Sequence, residues 1–185
     1  MTSCTLFLVR HGQAAAGFDS HRDPALDELG HQQAQENAEH LAERLAPIPV
    51  LSSPIRRARE TAAPLAARWQ QDVLVSDAIS EIPSPDPDLK ARAAWLRDAM
   101  AGPWTALPEA QRIFREQLIE FLASQTQDQV LFSHFVAINL AVGAATGDDR
   151  MVVFRPSHVS VTELIVDAGQ LRLGRLGAEA ETRVN

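Results

Sequence analysis

Short apolar segments alternate with longer amphipathic ones along most of the chain. Short apolar runs, bounded by polar or turn residues, are typical of buried strands. The last two apolar segments, residues 159–166 and 170–176, flank the turn residues Asp167-Ala168-Gly169, and this arrangement predicts a β-hairpin. The predicted strands are residues 5–9, 50–51, 73–75, 130–132, 159–166 and 170–176.

The segments between these strands show the spacing of apolar residues that an amphipathic helix requires. One helix is expected over residues 27–45, with Asp27 as its N-cap. A second is expected to open at Ser53-Pro54, with the serine as N-cap and the proline at the first helical position. The remaining helices are expected over residues 91–100, 109–124 (with Ile113, Leu118, Phe121 and Leu122 facing inward) and 136–145.

Strands that alternate with helices predict an α/β fold, a three-layer α/β/α sandwich around a mostly parallel sheet. The 185 residues are close to the usual size of one domain, so one domain over residues 1–185 is expected. Residues 79–108, rich in proline at first, are interpreted as a small lid insertion. The tail from Gly177 is expected to be loose.

Charge and composition narrow the possible partners. The formal net charge is −7, whereas a nucleic-acid binder normally carries a basic patch, so no nucleic acid is expected as a partner. Lys90 is the only lysine, and the other basic residues are arginines, whose planar guanidinium can bind phosphate through two parallel hydrogen bonds. This composition favours a small anionic ligand in one pocket. The oligomeric state stays open.

The cysteine count and the apolar runs indicate the compartment. Cys4 is the only cysteine, so neither an intrachain disulfide nor a cysteine-rich metal site is expected. The apolar run over residues 6–9 is too short for a signal peptide, and no run approaches the ~20 residues of a membrane span. The expectation is a cytoplasmic protein that does not bind membranes.

Chemically active residues follow several of the predicted strands. In open α/β sheets ligands bind beyond the carboxyl ends of the strands, so these residues are expected to meet at one edge of the sheet. They are Arg10, His11 and Gly12 after the first strand, Arg56 and Arg57 after the second, Glu81 after the third, and Ser133 and His134 after the fourth.

This set suits phosphoryl transfer. A neutral imidazole is a good nucleophile near pH 7. Guanidinium groups neutralise the charge on the phosphoryl oxygens, and a second imidazole adds a donor to them if it is protonated. A carboxylic acid can protonate the leaving oxygen and later accept a proton from water. Neither metal-ligand spacing nor a cofactor motif is present, so no metal and no cofactor are expected.

Four motifs occur in an order that resembles the histidine phosphatase superfamily, also called phosphoglycerate-mutase-like, and its small bacterial-type phosphatases. They are Leu8-Val9-Arg10-His11-Gly12-Gln13, Leu29-Gly30-His31-Gln32-Gln33-Ala34, the stretch from Ser52 to Ala62 that includes Arg56-Arg57-Ala58-Arg59-Glu60-Thr61, and Val130-Leu131-Phe132-Ser133-His134. An isolated Arg-His-Gly would be weak evidence, whereas the ordered set covers most of the chain.

The resemblance implies a role for each matching residue. His11 becomes the phosphorylated nucleophile, and Arg10, Arg57 and His134 form the phosphate pocket, with His134 also counted as catalytic. Glu81 lies where the proton donor usually falls. Two departures are Ile82-Pro83-Ser84-Pro85 after Glu81, where glycine and tryptophan are common, and Phe135 after His134, where glycine is common.

The roles of several other residues stay open. Gln13 could line the pocket or only shape the turn, and Glu81 could cap or solvate the lid instead of donating a proton. If Glu81 does not donate, one of the lid aspartates Asp86 and Asp88 could. The remaining histidines have no comparable position, and surface or structural roles are expected for them: His21, His31, His40 and His158.

The leading functional interpretation is a metal-independent phosphatase for a small phosphorylated metabolite, acting through a phosphohistidine. Three alternatives remain. A phosphatase for protein phosphohistidine needs little help from an acid, because imidazole is a good leaving group. A mutase usually needs more basic residues than Lys90, Arg92 and Arg97, which the lid offers. A binder of phosphorylated ligands without turnover is the third.

Overall fold

The computed structural model describes residues 3–17 and 19–180 and forms a six-stranded sheet with helices on both faces. The strands are β1 (Cys4–Arg10), β2 (Val50–Ser52), β3 (Val73–Val75), β4 (Gln129–Ser133), β5 (Val161–Asp167) and β6 (Gln170–Arg175). The helices are α1 (Glu28–Arg44), α2 (Arg56–Arg68), α3 (Leu89–Met100), α4 (Glu109–Ala123) and α5 (Phe135–Thr146), with short 3₁₀ turns at Asp77–Ile79 and Trp104–Ala106.

The sheet is mostly parallel, which confirms the predicted fold class. Its strand order is β3-β2-β4-β1-β5-β6. The first four strands in this order run parallel to one another, whereas β5 is antiparallel to β1 and pairs with β6 in the predicted hairpin. The amino end of β5 therefore lies at the same edge of the sheet as the carboxyl ends of β1, β2 and β4.

Alternate residues of β1 face opposite layers of the sandwich. Leu6 and Leu8 belong to the core that lies under α4 and α5, whereas Phe7 and Val9 belong to the core under α1 and α2. The pleat of a strand requires this alternation when both faces of the sheet are covered by helices. Both cores fix β1, and hence its carboxyl end, in the centre of the molecule.

The first turn of α1 packs tightly against the loop that follows β1. Asp27 caps the helix as predicted, and its Oδ1 accepts a hydrogen bond of 2.7 Å from the Gly30 nitrogen. A Cβ atom on Gly30 would lie 2.1 Å from the Gln13 carbonyl oxygen, and one on Gly12 would lie 2.7 Å from the Gly30 carbonyl oxygen. Because any side chain here would clash, the two glycines allow the close approach.

Three details differ from the sequence prediction. α2 begins at Arg56 with Ile55 as its N-cap residue, so Ser53 does not cap it. Ile113 of α4 was expected to face inward but is 44% exposed, because it lies on the solvent side of the helix. Residues 177–180 are not loose, since the Ser157 nitrogen donates to the Ala178 carbonyl oxygen at 2.8 Å. Residues 181–185 of the tail lie outside the described residues.

The segment interpreted as a lid insertion, residues 79–108, contains α3 and the second 3₁₀ turn, and its Glu81, Leu96 and Met100 line a cleft of about 690 Å³. Within the described residues no helix has both the length and the apolar character that a membrane span needs.

Candidate active site

Strand register brings two of the predicted histidines together. Arg10 of β1 pairs with Ser133 of β4, and the His11 nitrogen donates to the Ser133 carbonyl oxygen at 3.0 Å. His11 and His134 therefore leave neighbouring strands at the same level, and their ring centroids are 5.2 Å apart. Both rings are buried.

Arg57 connects the two histidines. Its side chain extends from the first turn of α2 and is 4% exposed. Its Nε donates to His11 Nε2 at 3.0 Å, and its Nη2 donates to His134 Nδ1 at 3.2 Å. The structure therefore places Arg57, and not the exposed Arg56, between the histidines.

This contact determines the tautomer of each ring. A guanidinium has only donors, so His11 Nε2 and His134 Nδ1 must both accept. The proton of His11 is then on Nδ1, which donates to the Gly12 carbonyl oxygen at 2.7 Å. The proton of His134 is on Nε2, which donates to Ser53 Oγ at 2.8 Å. Both nitrogens of each ring are thus hydrogen-bonded, and each ring directs one lone pair toward the guanidinium.

Electrostatics keep both imidazoles neutral. Burial and the Arg57 guanidinium hold the pKa of His11 well below its usual range, and the Gly12 carbonyl opposes them only in part. Burial, followed by the neighbouring His11 and Arg57, lowers the pKa of His134 in the same direction. A neutral imidazole keeps the lone pair that a nucleophile needs.

Hydroxyl groups fix the parts of this cluster to one another. Thr61 Oγ1 accepts from the Gly12 nitrogen at 3.0 Å and donates to the Arg57 carbonyl oxygen at 2.6 Å, so it ties α2 to the loop after β1. Ser53 accepts from the Ile55 nitrogen at 3.1 Å while it binds His134. The Ser53 hydroxyl thus binds His134 and the turn before α2, and it accepts no hydrogen bond from within α2.

Arg10 approaches the cluster from the β1 side. Its Nη1 donates to the Pro156 carbonyl oxygen at 2.8 Å, and its guanidinium carbon lies 5.3 Å from the centroid of the Phe135 ring. Burial lowers the pKa of Arg10 to about 10, although Glu81 opposes the shift. A partly desolvated cation of this kind binds an anion more strongly than an exposed one does.

Glu81 faces the same cleft from the segment after β3. Its Oε1 accepts from the Ile82 nitrogen at 3.0 Å, and Ser133 Oγ fixes the preceding turn by a 2.7 Å bond to the Ile79 carbonyl oxygen. Burial raises the pKa of Glu81, and the Ile82 amide, Arg57 and Arg10 oppose that rise. A carboxyl whose pKa is raised keeps its proton to a higher pH, as a general acid must.

Gln13 both lines the cleft and shapes the turn. Its Nε2 donates to Asp27 Oδ2 at 2.8 Å, and its backbone nitrogen donates to Gln33 Oε1 at 2.9 Å. The side-chain amide is therefore bound to Asp27, the N-cap residue of α1, and Gln13 stabilises the turn beside the cleft.

The cleft has a volume of about 690 Å³, a size typical of pockets for small molecules. Arg10, His11, Arg57 and Glu81 line its inner end. His134 does not line it, because its fully buried ring lies behind Arg57. The outer part is mainly apolar, with Leu96 and Met100 of α3 and Phe135 of α5 among its lining residues.

Three cleft residues were missed by sequence reasoning. His21, Arg155 and His158 line the cleft, whereas surface or structural roles were expected for the two histidines. His158 precedes the amino end of β5, whereas the predicted site residues follow the carboxyl ends of parallel strands. The predicted hairpin was the available signal, since an antiparallel β5 brings its amino end to this edge.

Comparison with known proteins identifies related chains. The sequence model of the histidine phosphatase superfamily (branch 1) matches residues 6–179. Among curated proteins, a 119-residue match with 32% identity is found in the bifunctional protein Rv2228c of Mycobacterium tuberculosis. That match covers 55% of this chain and 32% of the relative, so the chain spans about a third of the relative's length.

Solved structures share the fold over nearly the whole chain. The native mycobacterial glucosyl-3-phosphoglycerate phosphatase Rv2419c is 24% identical with a TM-score of 0.77, covering 96% of this chain and 100% of that one. The same protein in complex with VO3 is 26% identical with a TM-score of 0.73, covering 95% and 100%. A phosphoserine phosphatase variant from Entamoeba histolytica in complex with phosphoserine is 21% identical with a TM-score of 0.69, covering 94% and 95%.

Proposed function

The chain belongs to the histidine phosphatase superfamily, and from this premise we propose that it hydrolyses small phosphomonoesters through a phosphohistidine formed on His11. One observation carries the proposal. His11 Nε2 carries no proton and accepts the 3.0 Å hydrogen bond from Arg57, which a phosphoryl group can take over, and Gly12 holds the opposite nitrogen. The pair offers a neutral nucleophile beside a cation that stabilises phosphoryl oxygens.

In the first step His11 Nε2 attacks phosphorus, and the bond to the ester oxygen breaks. Arg57 transfers its Nε–H hydrogen bond from the imidazole to a phosphoryl oxygen, and Arg10 supplies a second positive charge. His134 orients Arg57 from behind through the 3.2 Å bond to Nη2. Glu81, protonated at the start, gives its proton to the leaving alcohol oxygen.

In the second step water attacks the phosphohistidine. The Glu81 carboxylate takes a proton from this water as its oxygen bonds to phosphorus, and the P–N bond to His11 breaks. Inorganic phosphate leaves, and His11 regains the tautomer that the Gly12 carbonyl favours. Both carboxyl and imidazole return to their starting states, so the cycle needs no other reactant.

The shape of the site favours a metabolite as the substrate. A cleft of about 690 Å³ encloses a small molecule, and its acid Glu81 benefits esters of poor leaving groups more than phosphohistidine in a protein. Two solved relatives are named as phosphatases for glucosyl-3-phosphoglycerate and phosphoserine, which are also small phosphate esters. These points support a metabolite phosphatase ahead of a protein phosphohistidine phosphatase.

The reaction as proposed needs no metal. Among the described residues no group of three or more His, Cys, Asp or Glu side chains is arranged to hold a metal ion, and two arginines already supply positive charge at the phosphate. We expect full activity in EDTA. Activity that is lost in EDTA and restored by Mg²⁺ would contradict this part of the proposal.

The proposal is tested by assaying the purified protein against a panel of phosphorylated metabolites and a phosphohistidine peptide. We expect release of phosphate from at least one metabolite, and His11→Ala should lower kcat by ~10³-fold or more because the nucleophile is gone. His40→Gln, at an exposed position on α1, is the matched control and should keep wild-type activity. Turnover of the phosphohistidine peptide alone, or exchange of phosphate between two hydroxyls, would contradict the proposal.

A further inference from the structure

His158 faces the reacting group without a partner of its own. Its ring lines the cleft, and the ring centroid lies 6.1 Å from that of His11. Within the described residues, neither of its nitrogens makes a hydrogen bond. His134, in contrast, is fully buried and uses both nitrogens, on Arg57 and Ser53. Of the two imidazoles in ring contact with His11, His158 is therefore the one with a donor available to the cleft.

Unusual backbone geometry presents this ring to the cleft. The next residue, Val159, has a φ of 51°, in the left-handed region that a β-branched residue rarely adopts. Strain of this kind persists only when the surroundings enforce it, and it is common at functional sites. Two bonds of 3.0 Å enforce it here: the Val159 nitrogen donates to the Arg10 carbonyl oxygen, and Asn37 Nδ2 donates to the Val159 carbonyl oxygen.

The same segment also holds the phosphate-binding arginine. Pro156 accepts the Arg10 Nη1 hydrogen bond, and the Arg10 nitrogen donates to the Ser160 carbonyl oxygen at 3.2 Å. The segment from Pro156 to Ser160 is therefore fastened on both sides of His158 to the strand that carries His11. Its position relative to the nucleophile is set by two backbone bonds to Arg10 together with the side chains of Arg10 and Asn37.

We propose that His158 is a further substrate-contacting residue, which donates a hydrogen bond from its ring to the phosphoryl group bound at His11. The inference rests on the proposed function, because it takes the inner end of the cleft as the phosphate site. The distance between the rings suits a phosphoryl group bound to one and accepting a bond of about 2.7–3.2 Å from the other. Asn37 is then a positioning residue, which acts through Val159.

The charges around His158 support this role. Burial and Arg10 lower the pKa of His158 to about 4, and the Asp27 carboxylate opposes the shift. His11, which is neutral, and Arg155 on the same segment also face the cleft. Without phosphate the ring is therefore neutral, with one N–H to donate. A bound dianion favours the imidazolium, so phosphate and a proton on His158 stabilise each other.

The first test measures binding of inorganic phosphate, the reaction product, by isothermal titration calorimetry at pH 6. His158→Ala should raise the Kd about 10-fold or more, since a hydrogen bond to a charged group is lost. His40→Ala, on the exposed side of α1, should leave the Kd unchanged. Arg57→Ala marks the phosphate site and should weaken binding strongly.

The second test follows the His158 ring by NMR. In the wild type, saturating phosphate should raise the pKa of His158 by about one unit or more, as an adjacent opposite charge does. Asn37→Ala should weaken phosphate binding in the wild type and add little in the His158→Ala background, because both changes remove the same contact. If the effects of the two substitutions on phosphate binding added fully, Asn37 would have only a structural role.

The outcomes separate this inference from the proposed function. Wild-type phosphate affinity in His158→Ala, together with weak binding in Arg57→Ala, would overturn the role of His158 and leave the phosphatase proposal intact. Unchanged binding in Arg57→Ala would instead contradict the phosphate site itself. An NMR pKa of His158 that does not respond to phosphate would overturn the inference even if a variant failed to fold.

Discussion

The placement of one arginine organises the site at the scale of single residues. Arg57 donates to both histidines, and it fixes their tautomers because a guanidinium cannot accept a hydrogen bond. Arg57→Lys would keep the charge, but a single ammonium cannot reproduce the two directed bonds. The proposed chemistry therefore depends on the shape of this side chain as well as on its charge.

Glu81 supplies the sharpest prediction for a single side chain. An alkyl phosphate needs a proton on its leaving oxygen, whereas p-nitrophenolate leaves readily without one. Glu81→Gln should therefore lower kcat for an alkyl phosphate by ~10²-fold and for p-nitrophenyl phosphate by only a few-fold. Equal losses for both substrates would show that Glu81 organises the segment after β3 and that the proton comes from another group, such as Asp86 or Asp88.

The same residue predicts a pH profile. In the proposed role Glu81 donates a proton only while it is protonated, and burial raises its pKa. In the wild type kcat for an alkyl phosphate should decline as pH rises through that raised pKa, and Glu81→Gln should remove this decline. A decline that persists in Glu81→Gln would assign the ionisation to a different group.

Sequence reasoning found the residues whose position follows from chain order. His11, Arg57 and His134 lie next to strand ends in the motifs, and the structure brings them together. It could not find that His134 stands behind Arg57, because this depends on the direction of the Ser53 hydroxyl. His158 was missed because its approach to His11 depends on an antiparallel strand and on a left-handed residue that no motif encodes.

Helix α2 shows how element boundaries depend on local hydrogen bonds. Its sequence offers a serine and a proline at the start, a usual signal for a cap, yet the helix begins at Arg56, and the Ser53 hydroxyl binds His134 and the Ile55 nitrogen instead. The bounds of strands β2 and β3 were predicted almost to the residue, because polar residues on both sides of a short apolar run mark the ends of the strand. Helix starts are less predictable, because a side chain that could cap can bind elsewhere.

The end of α2 gives a stability prediction. Gln70 follows the C-cap residue Trp69 and has a φ of 54°, which costs a residue with a side chain about 1–2 kcal/mol. Because Gln70 is exposed, Gln70→Gly should relieve this strain at little cost in contacts and stabilise the protein by about 1 kcal/mol. In thermal unfolding Tm should rise by roughly 2–4 °C.

A matched glycine substitution inside the same helix should act in the opposite direction. Ala67 is exposed and helical, so Ala67→Gly should destabilise the protein by about 0.5–1 kcal/mol. If Gln70→Gly lowered Tm as Ala67→Gly does, the left-handed conformation at Gln70 would not be a source of strain.

At the scale of the whole molecule, the strand order explains where the site lies. β4 and β1 are the central pair of the sheet, and their carboxyl ends carry His134 and His11. The sequence predicted the alternation of strands and helices, and hence the layers. It did not predict the neighbours of β1, because strand order depends on which apolar faces meet, and the faces of short buried strands are alike in composition.

The buried histidines predict how stability depends on pH. The pKa values of His11 and His134 are depressed in the folded protein, whereas in the unfolded chain both groups titrate near pH 6.5. Below pH 6.5 the unfolded chain therefore binds protons that the folded protein does not, and stability falls as pH falls. Each histidine contributes up to about 1.4 kcal/mol per pH unit.

Glu81 acts in the opposite sense, since its raised pKa makes stability fall as pH rises above its ordinary value of 4.5. His158, whose pKa is lowered to about 4, acts in the same direction as the two buried histidines. Three histidines outweigh one carboxyl, so the free energy of unfolding should fall from pH 7 to pH 5 in urea titrations. His11→Asn should reduce this slope, and His40→Gln, at an exposed position, should not. If the free energy of unfolding stayed level or rose as the pH was lowered from 7 to 5, the folded protein would have to bind protons on these histidines.

The central claim is that phosphate is transferred to His11, and trapping this species tests it most directly. The enzyme is mixed with a phosphate ester that it hydrolyses, and the reaction is quenched in alkali within milliseconds. The protein is then digested and analysed by mass spectrometry. We predict one phosphoryl group on the peptide that contains His11, stable in alkali, labile in acid and absent from His11→Ala. A phosphoryl group on another residue, or steady turnover with no phosphorylated enzyme at any time point, would contradict the account.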